Sequence, residues 1–256
     1  MSERRSLAGV DGCRAGWIAA VEHPRGRTEL RVHARFADLV AALPEEALIA
    51  VDMPIGLPDR IEGAGRAAEI AARPLLPPER RSSLFFIPAR PAVEAGAGPF
   101  GDAGERRAAF ARVTALSRAT SMPSRAVSIQ GFCLFPRIVE LDRLLRADPT
   151  LAARVHESHP ELAFARLNGG AAMRQPKKRG GRASPDGMAE RRAVLRAAAL
   201  PPALLEGAPP RGAGEDDRLD ACALLLVARR IARGQAVSHP DPPGRDAHGL
   251  PVAIWA

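Results

Sequence analysis

Tyrosine is missing from this chain altogether, and lysine occurs only twice, side by side, at Lys177 and Lys178. Cysteine occurs three times, at Cys13, Cys133 and Cys222, far apart and never as a C-x-x-C pair. Neither a disulfide framework nor a zinc site follows from them, which leaves the reduced thiols of a cytosolic protein as the expectation. No apolar run approaches the roughly 20 residues that a membrane span requires; the longest, Ala221 to Ala228, falls far short. The opening Met-Ser-Glu-Arg-Arg has no apolar signal region, so the chain reads as soluble and cytoplasmic.

With lysine so scarce, arginine carries nearly all of the positive charge behind the net +8. A basic balance ordinarily points to nucleic acid. Here arginine comes with abundant alanine, glycine and proline, the composition of a GC-rich genome. The charge is compatible with a polyanionic substrate without requiring one. The 256 residues, 46% of them hydrophobic, suffice for one sizeable α/β domain.

The first clear pattern is Leu7 to Val21. A short apolar run ends in Asp11, turns through Gly12 and Gly16, and resumes behind Trp17, which predicts a β-hairpin that delivers a carboxylate at the end of its first strand. Trp17 reads as core. Thr28 to Arg35 alternates like a half-buried third strand, and Phe36 to Leu43 is a short helix closed by Pro44. Ala47 to Val51 is continuously apolar, as a strand buried on both faces would be, and it too ends in an acid, Asp52, before Pro54, Gly56 and Pro58 break it.

A helix is expected from Glu62 to Arg73, irregular chain from Pro74 to Gly101, a helix capped by Asp102 running to about Ala119, and another from Ser128 to Ala147 despite Pro136. Residues 62–148 thus read as a mostly helical insertion after the fourth strand of a single domain spanning 1–256. The chain returns to the sheet before Pro160. On that extended stretch Glu157 and His159 share one face, and His156 and Ser158 the other. A short helix to Leu167, a basic flexible loop from Asn168 to Gly187, and a helix from Met188 to Leu200 follow. Glu215 to Ile231 is the most apolar helix, with Arg229, Arg230 and Arg233 near its C-terminus to complement the helix dipole.

Asp11, Asp52, Glu157 and the pair Asp217/Asp220 stand at strand ends, on a strand and in a first helical turn. If they converge, each like-charge pair about 4 Å apart costs about 4 kcal/mol at an effective dielectric near 20. Such a cluster takes up protons or binds cations, and oxygen ligands favour Mg²⁺ or Mn²⁺. Two such ions form a standard apparatus for phosphodiester hydrolysis. Asp11, Asp52, Glu157 and Asp220 are then the metal ligands, with Asp217 in support and His159 moving protons or orienting Glu157. Arg14, Lys177 and Lys178 are the candidate substrate-binding cations. Plainer readings stand beside these. Asp216 or Asp217 can cap the last helix, Asp11 can be a turn residue, Glu157 can pair with an arginine, His159 can be packed, and the lysines can be a solvated loop.

Gly-Val-Asp11-Gly-Cys-Arg14-Ala-Gly-Trp17, Val-Asp52-Met-Pro54-Ile-Gly56-Leu, Glu157-Ser-His159-Pro160-Glu161 and Asp217-Arg-Leu-Asp220-Ala occur here in order. Together they resemble the family called "domain of unknown function 429", described as predicted nucleases of RNase H-like fold. The resemblance spans nearly the whole chain. It implies an α/β fold with an RNase H-like mixed sheet, flanking helices, and a metal-dependent nuclease acting on DNA or RNA. The Asp217-x-x-Asp220 spacing is also similar to the last helix of Holliday-junction resolvases, where both acids serve the metals. One alternative is phosphoryl transfer by an ATP-binding protein of the related actin-like fold, against which the chain is too short for the second such domain. Another is a non-catalytic nucleic-acid-binding protein.

Overall fold

The computed structural model describes residues 5–256. Three strands come first: β1 (Leu7–Cys13), β2 (Gly16–Glu22) and β3 (Thr28–His33). They form an antiparallel meander in which Asp11 lies opposite Ile18, and Trp17 opposite His33. Helix α1 (Phe36–Ala41) leads to β4 (Leu48–Val51), parallel to β1. The chain then leaves the sheet for β5 (Ile61–Glu62), α2 (Ala67–Ala72), α3 (Arg90–Ala95), α4 (Ala103–Ala119), β6 (Ser121–Met122), α5 (Ile129–Ala147) and α6 (Pro149–Ala152). It returns as β7 (Val155–Glu157), parallel to β4. The product is a mixed five-stranded sheet in the order β3-β2-β1-β4-β7. Beyond it come α7 (Pro160–Leu167), β8 (Lys178–Arg179), β9 (Arg182–Ala183), α8 (Pro185–Ala197), α9 (Pro202–Leu205), α10 (Glu215–Ala232), β10 (Ser238–Arg245) and β11 (Pro251–Trp255).

Strand alternation divides the interior in two. Ala8, Val10, Trp17, Ala19, Ile49, Val51 and Val155 face one layer, shared with Phe36 of α1 and Phe132, Phe135 and Ile138 of α5. Leu7, Ile18, Ala20, Leu48 and Ala50 face the other, filled by Leu219 to Ala228 of α10 and Phe164 of α7. The same alternation sorts the acids. Asp11 continues the row of Leu7 and Gly9, and Asp52 that of Leu48 and Ala50, both toward α10. Glu157 continues the row of Val155, toward the opposite layer.

Helix α10 lies directly on β1. A Cβ added to Gly9 would lie 2.5 Å from the Leu224 carbonyl carbon, and closer still to the Leu225 nitrogen and the Ala221 oxygen. At the far end Arg229 Nε donates to Glu22 Oε2 at 2.6 Å, and Glu22 pairs with Leu7 at the start of β1. The helix therefore runs antiparallel to β1 and brings its acidic first turn to the strand end that carries Asp11.

Several expected elements differ in extent. The helix expected from Glu62 begins only at Ala67, because Gly63 at φ +83° and Gly65 intervene. Pro74–Gly101 contains the short α3, and the basic loop contains the β8–β9 ribbon. The return strand stops at Glu157. Ser158 instead bridges Trp255 of β11, its hydroxyl donating to the Trp255 carbonyl at 2.8 Å. The capping expectation for Asp102 matches, its side chain accepting from the Glu105 N–H at 2.8 Å; Ser128, expected as the start of a helix, caps α5 instead by accepting from the Gly131 N–H at 3.0 Å. Among the described residues no helix is long and apolar enough to cross a membrane.

Candidate active site

Three carboxylates meet where β1 and β4 end and α10 begins. Burial, then Asp52 and Asp220, push the Asp11 carboxyl well above the usual carboxylate range. Burial and the neighbouring Asp220 push Asp52 up to about 7, against the pull of Lys177. Asp220 is raised as well, chiefly by burial, although Lys177 pairs with it. One oxygen of Asp11 accepts the Gly12 N–H at 2.7 Å. Asp220 Oδ1 is buried with no hydrogen-bond partner among the described residues.

A cation already stands in this group. Lys177 Nζ contacts Asp220 Oδ2 and lies 3.6 Å from Asp216 Oδ2, which Lys178 Nζ also approaches at 2.8 Å. Burial opposes the charge on Lys177, but Asp220 and Asp11 outweigh it and hold the ammonium protonated beyond the ordinary lysine range. The acids that share the lysines are thus Asp216 and Asp220, four apart and on one helical face. Asp217 turns away: its Oδ2 accepts the Gly214 N–H at 2.8 Å and caps α10. The sequence pairs Asp217 with Asp220 and leaves Asp216 only a capping role, although its i, i+4 spacing to Asp220 was the available signal.

Glu157 belongs to a separate ion cluster, as strand parity dictates. Its Oε1 accepts from Arg66 Nη2 at 2.6 Å, and its Oε2 from the Ile55 N–H at 2.7 Å and Arg66 Nη1 at 3.2 Å. Arg66 also donates to Glu69 Oε1 at 2.8 Å and to the Ile55 and Gly56 carbonyls. Burial works against the Arg66 charge, yet Glu157 and Glu69 hold it protonated. The cluster fastens the Pro54–Gly56 turn directly after Asp52. Glu157 was expected among the metal ligands; its two oxygens are engaged by Arg66 and the turn.

A cleft of ≈ 150 Å³ opens between the two clusters, lined among others by Asp11, Asp52, Glu157, His159, Ser83 and Arg137. Burial pushes the His159 ring down to about 4, so it is neutral at neutral pH. Its Nε2 sits 3.4 Å from the Ser83 carbonyl, and its Nδ1 is buried without a partner among the described residues. His156 lies on the other side, edge-on to Trp255. Arg137 packs against Gly12, stacks 5.9 Å over Trp17 and donates to the Cys13 carbonyl at 2.5 Å. Nothing in the sequence singled it out among so many arginines. Arg14 is exposed at the tip of the β1–β2 turn and does not line the cleft.

Oxygen-only donors and an unpartnered Asp220 oxygen suit a hard divalent cation. Among the described residues, no group of three or more His, Cys, Asp or Glu side chains stands in preformed metal-holding geometry.

The sequence profile of a family described as "protein of unknown function (DUF429)" matches residues 9–245, and the chain belongs to that family. No curated protein and no solved structure matches it.

Proposed function

We propose that this chain is a metal-dependent phosphodiesterase of RNase H-like type that acts on nucleic acid in the cleft beside Asp11 and Asp52. The observation that carries the reading is the gathering of three buried carboxylates, Asp11, Asp52 and Asp220, at one strand-end crevice, where burial first and the repulsion from Asp220 second raise Asp52 to about 7. A divalent cation relieves such repulsion. The sheet order, with three antiparallel strands followed by two parallel ones, supports the fold assignment. Ligand sites in open α/β sheets lie outside the carboxyl ends of the strands, as this one does.

Asp11, Asp52 and Asp220 hold the ion in this reading. When bound, it would supply Lewis-acid polarisation of a phosphoryl oxygen and a bound water more acidic than bulk water. Glu157 acts through Arg66, keeping the Pro54–Gly56 turn and hence Asp52 in place. His159, neutral at neutral pH and lining the cleft, is the group placed to move protons there. Arg137 offers its guanidinium to a phosphate beside Gly12, and Lys177 offsets part of the negative charge that would repel the substrate.

The test is incubation with structured and single-stranded DNA and RNA in Mn²⁺. Cleavage by the wild type that is lost in Asp11→Asn supports the reading. No cleavage, or equal cleavage by the variant, removes it.

A further inference from the structure

Lys177 is not a surface lysine that happens to reach an acid. The backbone that delivers it is fastened from several directions. The Glu190 carboxylate accepts the N–H groups of Arg174 and Gln175, each at 2.8 Å. The Gln175 carbonyl accepts from Arg80 at 3.3 Å and from Arg191 at 3.4 Å, and Arg191 is held in turn by Glu161 at 2.6 Å. The Ser184 N–H donates to the Lys177 carbonyl at 3.0 Å. Gly187 lets α8 approach so closely that a Cβ there would lie 3.0 Å from the Pro176 carbonyl carbon. These contacts hold the Lys177 backbone in place, and from there its ammonium contacts Asp220.

Charge completes the argument. Asp11, Asp52 and Asp220 carry three negative charges when ionised, and Lys177 balances one of them. Two remain, which is the charge of a single divalent ion. Lys178 is occupied with Asp216 at 2.8 Å and does not enter the balance. Asp220 is 3% exposed, with Oδ2 given to Lys177 and Oδ1 buried without a partner, so one of its two oxygens already carries a cation and the other is unmatched.

We propose that Lys177 permanently occupies the second cation position of the carboxylate cluster, so that the site takes one divalent ion rather than two. The inference rests on the phosphodiesterase reading above. It assigns to the ammonium what a second ion would otherwise do: offset the Asp220 charge and stabilise charge gathering on the phosphoryl oxygens.

The experiment is Mn²⁺ uptake by the full chain, followed by calorimetric titration and by the rise in melting temperature with Mn²⁺, for wild type, Lys177→Arg, Lys177→Met and Lys177→Gln. Wild type and Lys177→Arg are expected to take up one equivalent. Lys177→Met and Lys177→Gln are expected to take up two, with a larger Mn²⁺-dependent rise in melting temperature. Two equivalents in the wild type, or no additional equivalent in the uncharged variants, overturns the proposal while leaving a metal site in place. Should the uncharged variants not fold, the wild-type stoichiometry decides. No uptake by the wild type ends the metal reading itself, and this inference with it.

Discussion

Gly9 on β1 and Leu225 on α10 approach so closely that no side chain fits between strand and helix. That approach sets the depth at which α10 lies, and so brings Asp220 level with Asp11 two residues beyond Gly9. Gly9→Ala has to push backbone away from backbone. Overpacking of this kind costs about 3 kcal/mol at the upper end of its usual range. Urea denaturation checks the loss, and a variant as stable as the wild type would contradict the packing described.

Arg66 neutralises Glu157 and Glu69 in a buried site. Arg66→Met strands both carboxylates, and breaking a buried pair this way costs about 3–5 kcal/mol. Arg66→Met combined with Glu157→Gln is expected to lose less than Arg66→Met alone, because one stranded charge is gone. Denaturant midpoints of the two variants decide the matter; equal losses would mean that Glu157 is not the partner that counts.

Asp52 gives a signed dependence on pH. Its carboxyl is raised from 3.8 to about 7 in the folded chain. The folded state therefore keeps a proton that the unfolded chain has released, and Asp52 opposes folding increasingly as pH climbs between those values. Asp52→Asn removes that opposition. Its stability relative to the wild type is expected to improve from about pH 4 to about pH 8 in metal-free buffer, and a difference that stays flat across this range would contradict the charge state assigned.

Much of the frame was legible in the residues. The run ending in Asp52, the cap Asp102 and the apolar α10 are local signals, and each appears where its pattern placed it, whereas β1 continues two residues past Asp11 to Cys13. The partners of the acids were not legible. Whether Glu157 joins Asp52 or Arg66 depends on which face its strand parity presents, and Arg66 lies 91 residues away in sequence. Whether Asp216 or Asp217 turns to the lysines depends on which of them caps α10. The β10–β11 hairpin went unassigned, and without it the closure of Ser158 onto Trp255 has no sequence signature.

The most direct measurement compares the Mn²⁺-dependent rate of nucleic-acid cleavage in Asp11→Asn, Asp52→Asn and Asp220→Asn with the wild type. If the three carboxylates act as one unit, each variant loses at least about 100-fold, the scale of removing one preorganised charge-stabilising group. A wild-type rate in any of the three, with the fold intact, would contradict it.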